Sequence, residues 1–359
     1  MNQKLKMKIK FFILLITLLC GILSFSQDIT IVSGTVKCPA PLAVGYSKTI
    51  AGKTYYVVDS AAITSILNTG SFSVGASTVT PTDLSCVCTT QITSMEDMFN
   101  GQATFNDDIS NWDTSNVINM QQMFMGTASF TININSWDVS SVTDMDGMFR
   151  AAISFNQPLD SWTVSNVLSM SNMFREASAF NQPLNSWDVS KVKYMQFLFK
   201  STIYNQPLNN WDVSSVLNMQ EMFMGSDFNQ PINNWEVGSV TNMYRLFRQS
   251  DFNQPLNNWD MSKVLNLGQM FYRNSGFNQP LDNWDLSSAT SISFIFENCR
   301  VFNQPLNNWD TSSITNMSGV FKEAHQFNRP LDNWDVSNVT RMDDMFNDAR
   351  KFNENIDNW

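Results

Sequence analysis

Tryptophan recurs along this chain at an almost constant interval, and that spacing restricts the fold more than any other feature. The eleven tryptophans lie 24 or 25 residues apart, from Trp112 to Trp359. Most of them end a close copy of one segment, which reads FNQPLNNW in its most regular copies. Self-similarity at a fixed period of this size indicates a repeat architecture, in which each unit buries its apolar side against its neighbours.

Each repeat contains two apolar patterns, which predict one short strand and one short helix. Around Trp162, the residues Trp162 and Val164 alternate with an outward position, which is the period of a strand. Between residues 138 and 152 the apolar residues recur at helical spacing, and Ser140 is placed to cap the helix. These apolar residues are Val142, Met145, Met148, Phe149 and Ala152. The fold class predicted is α/β: a curved, leucine-rich-repeat-like solenoid with one short strand and one short helix per 24–25-residue repeat.

The repeats define the domain boundaries. Residues 84–359 are predicted to form a solenoid of about eleven repeats, of which the last is incomplete. Residues 27–83 have a different composition and predict a small, strand-rich N-terminal cap with a short helix near residues 60–68. The 24-residue intervals lack one residue between the predicted helix and the next FNQP segment, so this connection is expected at the surface.

The first 26 residues have the layout of a secretory signal peptide. Four lysines precede the apolar run FFILLITLLCGIL, and cleavage is predicted between Ser26 and Gln27. Lipidation of Cys20 is the alternative, although the large Leu19 precedes it. We therefore expect a secreted or cell-surface protein, with no membrane span in the mature chain.

Charge excludes some partners. Loss of the leader would shift the net charge from −10 to about −14, because it removes four lysines and no acid. Phosphate backbones and anionic membrane surfaces repel such a chain. Nucleic acid is therefore not an expected partner.

Three cysteines outside the leader are disulfide candidates: Cys38, Cys86 and Cys88. In an oxidising compartment Cys38 can pair with either of the other two, and the sequence does not decide between them. The spacing of Cys86 and Cys88 is too short for a zinc knuckle, so no metal is predicted there. Cys299 occupies a position that is alanine in the next repeat, which predicts a small buried residue.

Three columns of repeated residues have both a functional and a structural interpretation. The tryptophans could stack on sugar rings, and pairs such as Met120 and Met123 or Met145 and Met148 have the spacing of a soft-metal site. Both sets share a face with other apolar residues, which favours the core. An asparagine column is expected to satisfy backbone groups between repeats: Asn156, Asn181, Asn205, Asn229, Asn253, Asn278, Asn303 and Asn328.

The acidic residue after tryptophan is the strongest candidate for binding. Glu236 and Thr163 replace it in two repeats, and the column otherwise consists of aspartates: Asp113, Asp138, Asp188, Asp212, Asp260, Asp285, Asp310 and Asp335. Carboxylates stacked this closely repel one another. Backbone N–H donors, bound cations such as calcium, or a partner could offset that repulsion. The first reading makes the column structural, and the others make it a cation or partner ridge.

No residue pattern predicts catalysis, so we expect a protein that is not an enzyme and has no cofactor or resident metal. The single histidine, His325, has no nucleophile motif near it in sequence. Phosphate loops, zinc signatures and nucleophile elbows are not found.

The repeat FNQPLNNWDVSxVTxMxxMF resembles that of BspA-like leucine-rich-repeat surface proteins of bacteria, which is also found in mycoplasma surface lipoproteins. The resemblance covers residues 90–359 and implies a curved α/β solenoid, surface exposure and adhesion. Taken with the acidic column, this leads us to expect a protein that binds macromolecules through an extended, polar, acidic sheet face. The partner would be an extracellular protein or polysaccharide. The alternative is a self-associating structural component of a surface or matrix.

Overall fold

The computed structural model describes residues 28–40, 42–74, 76–81 and 83–359. The chain forms two compact units. The first contains the described residues up to Ile92 together with Asn111–Thr114, and the second contains Thr93–Ser110 and Ser115–Trp359. The predicted boundary between residues 83 and 84 therefore lies inside the first unit.

The predicted signal peptide lies outside the described residues, as do its cleavage site at Ser26 and Gln27 and the alternative lipidation at Cys20. Among the described residues, none of the helices combines the length and the hydropathy that a membrane span requires.

The first unit is built from short strands, a 3₁₀ turn and one α-helix. Strands β1 and β2 form a hairpin, as do β5 and β6, while β3, β4 and β7 form a three-stranded sheet in that order. In that sheet β4 pairs antiparallel with β3 and parallel with β7. The elements are β1 (Thr30–Val32), β2 (Thr35–Lys37), β3 (Ser47–Ile50), β4 (Lys53–Val57), α1 (Ser60–Thr69), β5 (Phe72–Val74), β6 (Ser77–Val79), the 3₁₀ turn (Leu84–Cys86) and β7 (Val87–Cys88).

Two of the hairpin turns have a positive φ at both central residues, and the second of these residues is a glycine. Ser33 and Gly34 join β1 to β2 with φ values of 51° and 86°. Ala51 and Gly52 join β3 to β4 with φ values of 48° and 84°. Two consecutive positive φ values characterise the type I′ turn, whose twist matches that of a two-residue β-hairpin.

Helix α1 occupies the segment where a short helix was predicted. The Asp59 carboxylate accepts a hydrogen bond from the Ala62 N–H at 2.7 Å and caps the first turn. Gly70 ends the helix with a φ of 74°, and its N–H donates to the Ile66 carbonyl at 2.7 Å. Both ends of the helix are therefore fixed by local sequence.

A disulfide between Cys38 and Cys88 lies in the core of this unit, where it joins residues 50 positions apart. Ile29, Val36 and Val57 are buried around it. Of the two partners that the sequence left open for Cys38, the structure pairs it with Cys88. Cys86 is buried outside the disulfide.

The second unit is a stack of repeats in which each repeat pairs with the next through one parallel β-bridge. Asp144, for example, bridges to Asn119 of the preceding repeat and to Ser169 of the following one. The column of bridges continues from Ser94 to Arg341. Because the bridging residue occupies the same position in every repeat, the repeats are in register.

The predicted helix is wrong: residues 93–359 are all described and contain no α-helix. The segment forms consecutive turns, as when the Met148 N–H donates to the Met145 carbonyl at 3.2 Å. Every second N–H group of the segment donates to a carbonyl of the next repeat at 2.8–3.1 Å. The donors are Met145, Gly147, Phe149 and Ala151. The apolar residues whose spacing suggested a helix are buried as predicted, but the backbone hydrogen bonds of the segment run between repeats.

Positive φ values explain why this segment cannot be helical. Gly147 and Ala151 have φ values of 62° and 56°, and the equivalent residues of the other repeats, such as Arg245 at 59°, share the conformation. A right-handed helix requires a negative φ at every residue. Stacking compensates for the strain of non-glycine residues here, because it satisfies a backbone group at every second peptide.

The predicted strand around each tryptophan is also wrong. The Trp162 N–H donates to the Leu159 carbonyl at 3.2 Å, which closes a turn. Trp162 and Val164 are nevertheless buried, and Thr163 between them is exposed. The inward and outward positions were thus predicted correctly, while the extended backbone was not.

Aromatic columns fill the core between the backbone walls. Phe149 stacks on Phe174 of the next repeat at 5.7 Å between ring centroids, and on Phe155 of its own repeat at 4.2 Å. Trp162 stacks on Trp187 at 6.4 Å. Burial of one phenylalanine side chain contributes about 1.5–3 kcal/mol, so each added repeat stabilises its neighbours.

In the 24-residue intervals, where the connection is one residue shorter, a side-chain hydroxyl takes the place of the backbone carbonyl as hydrogen-bond acceptor. In a 25-residue interval, the Phe155 N–H donates to the Ala152 carbonyl at 3.0 Å. In the shortened ones, the equivalent N–H lies near a side-chain oxygen: Tyr204 near Thr202 at 3.4 Å and Phe228 near Ser226 at 3.1 Å. Serine or threonine therefore replaces alanine where the turn has lost a residue.

Candidate interaction surface

The exposed aspartates after tryptophan each bind the backbone of their own repeat. One carboxylate oxygen accepts a hydrogen bond from the N–H of the serine two residues later, at 2.9–3.1 Å. Such an Asx turn fixes the exit of the chain from the tryptophan turn. The aspartates that make this bond are Asp138, Asp188, Asp212, Asp260, Asp285, Asp310 and Asp335.

Titration of four aspartates in the column follows from these bonds. Hydrogen bonds from the serine side chain and the serine N–H hold the pKa of these four below the usual range: Asp188, Asp260, Asp310 and Asp335. These four carboxylates are therefore ionised at neutral pH. The described residues include no group of three or more histidine, cysteine or acidic side chains placed to hold a metal ion.

Asp113 differs from the rest of the predicted column. It belongs to the first unit and is 2% exposed, and it pairs with Lys37 at 2.6 Å. The prediction that it faces solvent beside the other aspartates is wrong, because the first unit encloses it. Its carboxylate helps to hold residues 111–114 in that unit.

The asparagine column has the structural role that the sequence indicated. The side-chain oxygen of Asn205 accepts the Asn229 N–H at 2.9 Å, and that of Asn229 accepts the Asn253 N–H at 2.9 Å. In six repeats the glutamine that follows the asparagine adds a second bond to the same oxygen, as Gln254 does at 3.2 Å. The column therefore satisfies loop N–H groups from one repeat to the next.

The tryptophans and methionines belong to the core. Trp235 and Trp259 are 2% exposed, so their faces are not open to sugars. Each indole N–H donates to a leucine or isoleucine carbonyl of the preceding repeat, as Trp259 does to Ile232 at 3.0 Å. The methionine pairs Met120 with Met123 and Met145 with Met148 are fully buried.

His325 and Cys299 also have identified surroundings. His325 lies 3.1 Å from the Asp348 carboxylate through its Nε2 atom. The Cys299 thiol is buried and donates to the Phe271 carbonyl at 3.0 Å. Burial raises the pKa of this thiol, so it remains protonated and unreactive at neutral pH.

One wall of the repeat differs chemically from copy to copy. The wall is counted from the first residue of the M-x-x-M pattern, in which other aliphatic residues replace a methionine in some repeats, and it consists of the first, second, fifth and sixth residues that follow. After Met120 these four are Gln, Gln, Met and Gly, whereas after Met243 they are Tyr, Arg, Arg and Gln. Between the same repeats, the Trp, Asn and Phe positions described above keep their roles. We call these four positions the variable wall.

On the variable wall, backbone N–H groups donate to carbonyls of the following repeat. The Phe197 N–H donates to the Gln220 carbonyl at 2.9 Å, and the Arg245 N–H donates to the Gly268 carbonyl at 3.0 Å. The backbone of the wall is thus engaged by the stack, which leaves side-chain chemistry free to vary. Sequence reasoning missed this wall because it placed the segment on a helix. Comparing the repeats with one another would have found it.

Comparison with known proteins identifies the repeat. Neither the curated proteins nor the solved structures compared with the chain include a significant match. One family model matches five overlapping stretches that together run from residue 70 to residue 359: residues 70–184, 132–227, 156–251, 201–307 and 278–359. The chain therefore belongs to the repeat family described as "Mycoplasma protein of unknown function, DUF285".

Proposed function

We propose that this protein is a secreted or cell-surface solenoid that binds extracellular macromolecules and carries out no chemical step. It would act as an adhesion or interaction protein of the BspA-like type. The observation that carries the proposal is the variable wall. Residues that hold the stack together repeat from unit to unit, while the side chains on this wall, most of which are at least partly exposed, change. A surface that varies on a constant scaffold is typical of recognition.

The bonds of the aspartate column favour a structural role for it, so we propose the variable wall as the main contact surface. Each exposed aspartate of the column already accepts a backbone N–H, as in the bond from Ser262 to Asp260 at 3.0 Å. Affinity on an extended wall would come from area and from many weak contacts acting together.

A binding screen tests the proposal. The purified protein would be applied to arrays of extracellular matrix proteins and polysaccharides, with calcium and with chelator. A variant with Asp260, Asp285 and Asp310 changed to asparagine would be compared with one that carries substitutions on the variable wall. We expect saturable binding that only the wall variant loses. Loss in the aspartate variant together with sensitivity to chelator would assign recognition to a cation on the acidic column.

Secretion needs a separate test, because the leader carries that part of the proposal. Cell fractionation and N-terminal sequencing of the exported chain should give a new terminus at Gln27. A chain that remains inside the cell with an intact leader would rule out the extracellular assignment.

The alternative function is self-association into a surface or matrix layer. Exposed aliphatic residues favour it, since they occupy one position of alternate repeats: Ile118 at 50% exposure, Leu168 at 43%, Leu217 at 38% and Leu265 at 49%. Such a row could pack against a second copy. Light scattering distinguishes the two functions, because self-association increases particle mass with concentration and a binder needs its partner.

A further inference from the structure

A continuous set of contacts crosses neighbouring repeats on the variable wall. Arg175 and Lys200 both lie over the Phe197 ring, at 5.7 and 5.4 Å from its centroid. Lys200 also pairs with Glu221 at 2.6 Å between Nζ and Oε2. Glu221 in turn pairs with Arg245 at 3.4 Å, so the contacts continue into the following repeats.

The same set continues beyond Arg245. The guanidinium groups of Arg245 and Arg248 donate to one oxygen of Gln269, at 2.9 and 3.2 Å. Arg248 and Arg273 both lie over the Tyr272 ring, at 4.6 and 5.1 Å from its centroid. We call this set the basic–aromatic network; its cations are Arg175, Lys200, Arg245, Arg248 and Arg273.

The network carries excess positive charge on an acidic protein. Its five cations contact two carboxylates, because Glu176 pairs with Arg175 and Glu221 pairs with Lys200 and Arg245. The whole chain has a net charge of −10, so the network is a local reversal of sign. Beyond its far end, Glu297 interacts with Arg273 and limits the basic region.

Glu221 organises the network and stays ionised. Burial raises the pKa of this carboxyl, but hydrogen bonds and charge from Lys200 and Arg245 outweigh burial and hold the pKa below its usual value. The cations are therefore positioned by a fixed charge and by aromatic rings before any ligand arrives. Cations held in this way lose less conformational entropy on binding an anion.

The geometry favours an anionic chain that is recognised through its charged groups. Guanidinium groups bind carboxylate and sulfate through two parallel hydrogen bonds. A peptide that adds as a strand needs an open backbone edge, and the backbone of this wall is engaged by the stack, as when the Gln249 N–H donates to the Tyr272 carbonyl at 2.8 Å. Nucleic acid needs open rings for base stacking, but cations lie over Phe197 and Tyr272.

We propose that the basic–aromatic network binds an anionic polysaccharide. The network crosses five repeats, so it is about 20 Å long at the usual spacing of ~4.8 Å between paired strands. Carboxylate or sulfate groups along an extended sugar chain would contact successive cations. The proposal rests on the proposed binding function and names the class of ligand and the part of the wall that takes it.

The test measures binding of the full-length protein to immobilised polysaccharides at several salt concentrations. The probes are polygalacturonate for carboxylate, heparin for sulfate and dextran as the uncharged chain. Polyglutamate and single-stranded DNA represent the other anionic polymers. The network variant carries R245Q, R248Q and R273Q, and the control variant carries K263Q, R300Q and K351Q. Both variants lose three positive charges, and the cations replaced in the control lie outside the network.

We expect binding to at least one acidic polysaccharide, weakened by salt, and about a tenfold loss of affinity in the network variant if each exposed ion pair contributes about 0.5 kcal/mol. The control variant should stay within about twofold of the parent protein. A further variant, E221Q, should bind more tightly, because the glutamine oxygen still accepts hydrogen bonds from Lys200 and Arg245 while the negative charge that competes with an anionic ligand is gone. Circular dichroism checks the folding of all three variants.

Several results would overturn the assignment. Equal losses in the network and control variants would mean that only overall charge matters. Stronger binding to polyglutamate or DNA than to either acidic polysaccharide would mean that the ligand is an acidic peptide or a nucleic acid and not a polysaccharide. Binding to matrix proteins without binding to acidic polysaccharides would refute this inference while leaving the proposed function intact. A protein that binds no partner in either screen would refute both.

Discussion

The asparagine column supports a quantitative prediction about stability. Replacing Asn229 with alanine removes the oxygen that accepts the Asn253 N–H at 2.9 Å and the Gln254 side chain at 3.2 Å. Replacing it with aspartate keeps an oxygen in that place. Both variants lose the amide N–H donors of the asparagine, but only the alanine variant also loses the acceptor oxygen.

The expected loss comes from the two bonds. An intramolecular hydrogen bond contributes about 0.5–1.5 kcal/mol net, so Asn229→Ala should cost about 2 kcal/mol. Water can reach this half-buried site, which keeps the cost below that of a sealed core position. Asn229→Asp should cost less than about 0.5 kcal/mol, because its carboxylate accepts the same bonds.

Urea denaturation followed by tryptophan fluorescence is the assay. Every regular repeat contains one tryptophan, so the signal reports the whole stack. Repeat arrays can unfold in stages, and the transition must therefore be compared with circular dichroism before a free energy of unfolding is derived. If the alanine and aspartate variants lose equal stability, the acceptor oxygen is not what the column contributes.

Three further predictions follow from the same structure. Gly319→Ala should cost more than about 1 kcal/mol, because φ is +59° and the added carbon would lie 2.1 Å from the Phe294 ring. Gly276→Ala is the control, since its added carbon meets open space. If Gly276→Ala lowered the melting temperature as much as Gly319→Ala does, the argument would be contradicted. The pKa of Asp310 is lowered in the folded state, so its bond to Ser312 stabilises the folded protein above the unfolded pKa, and this stabilisation is lost as pH falls through the folded pKa. Asp310→Asn should therefore reduce the fall in melting temperature at acid pH. An unchanged dependence of melting temperature on pH would refute this. Reduction of the disulfide in the N-terminal unit should destabilise that unit by up to about 4 kcal/mol, seen by calorimetry with and without reductant, and should leave the melting of the repeats unchanged.

The sequence predicted which side chains are buried much better than it predicted the backbone that buries them. Met145, Met148 and Phe149 are buried, as their spacing indicated. The spacing of three and four residues is typical of a helix, but a chain of turns with a positive φ at every fourth residue presents the same residues to one side. Sequence periodicity reports the face of a residue and not the path of its backbone, so it cannot distinguish the two.

Hydrogen bonds between repeats explain why the segment does not form the predicted helix. An isolated segment of this length satisfies its backbone best as a helix, because its partners must lie within the segment. In a stack, each Met145-type N–H instead finds a carbonyl one repeat away, such as that of Ser169 at 3.1 Å. The sequence of one segment does not show that a carbonyl of the following repeat will accept this bond. The turn around Trp162 was misread for the same reason, since its alternation of buried and exposed residues suits a strand.

The sequence did contain a second source of information, because each repeat is a comparison for the others. Positions that stay constant, such as Asn229 and Trp259, are those whose polar atoms bond to a neighbouring repeat. Positions that change, such as Arg245 and its counterparts, have a backbone that is bonded to the stack whichever side chain they carry. Constancy between repeats therefore identifies the atoms that hold the stack together, and variation identifies the side chains available to a partner. On this argument, grafting the four wall residues of one repeat onto another should move a binding preference without changing the fold.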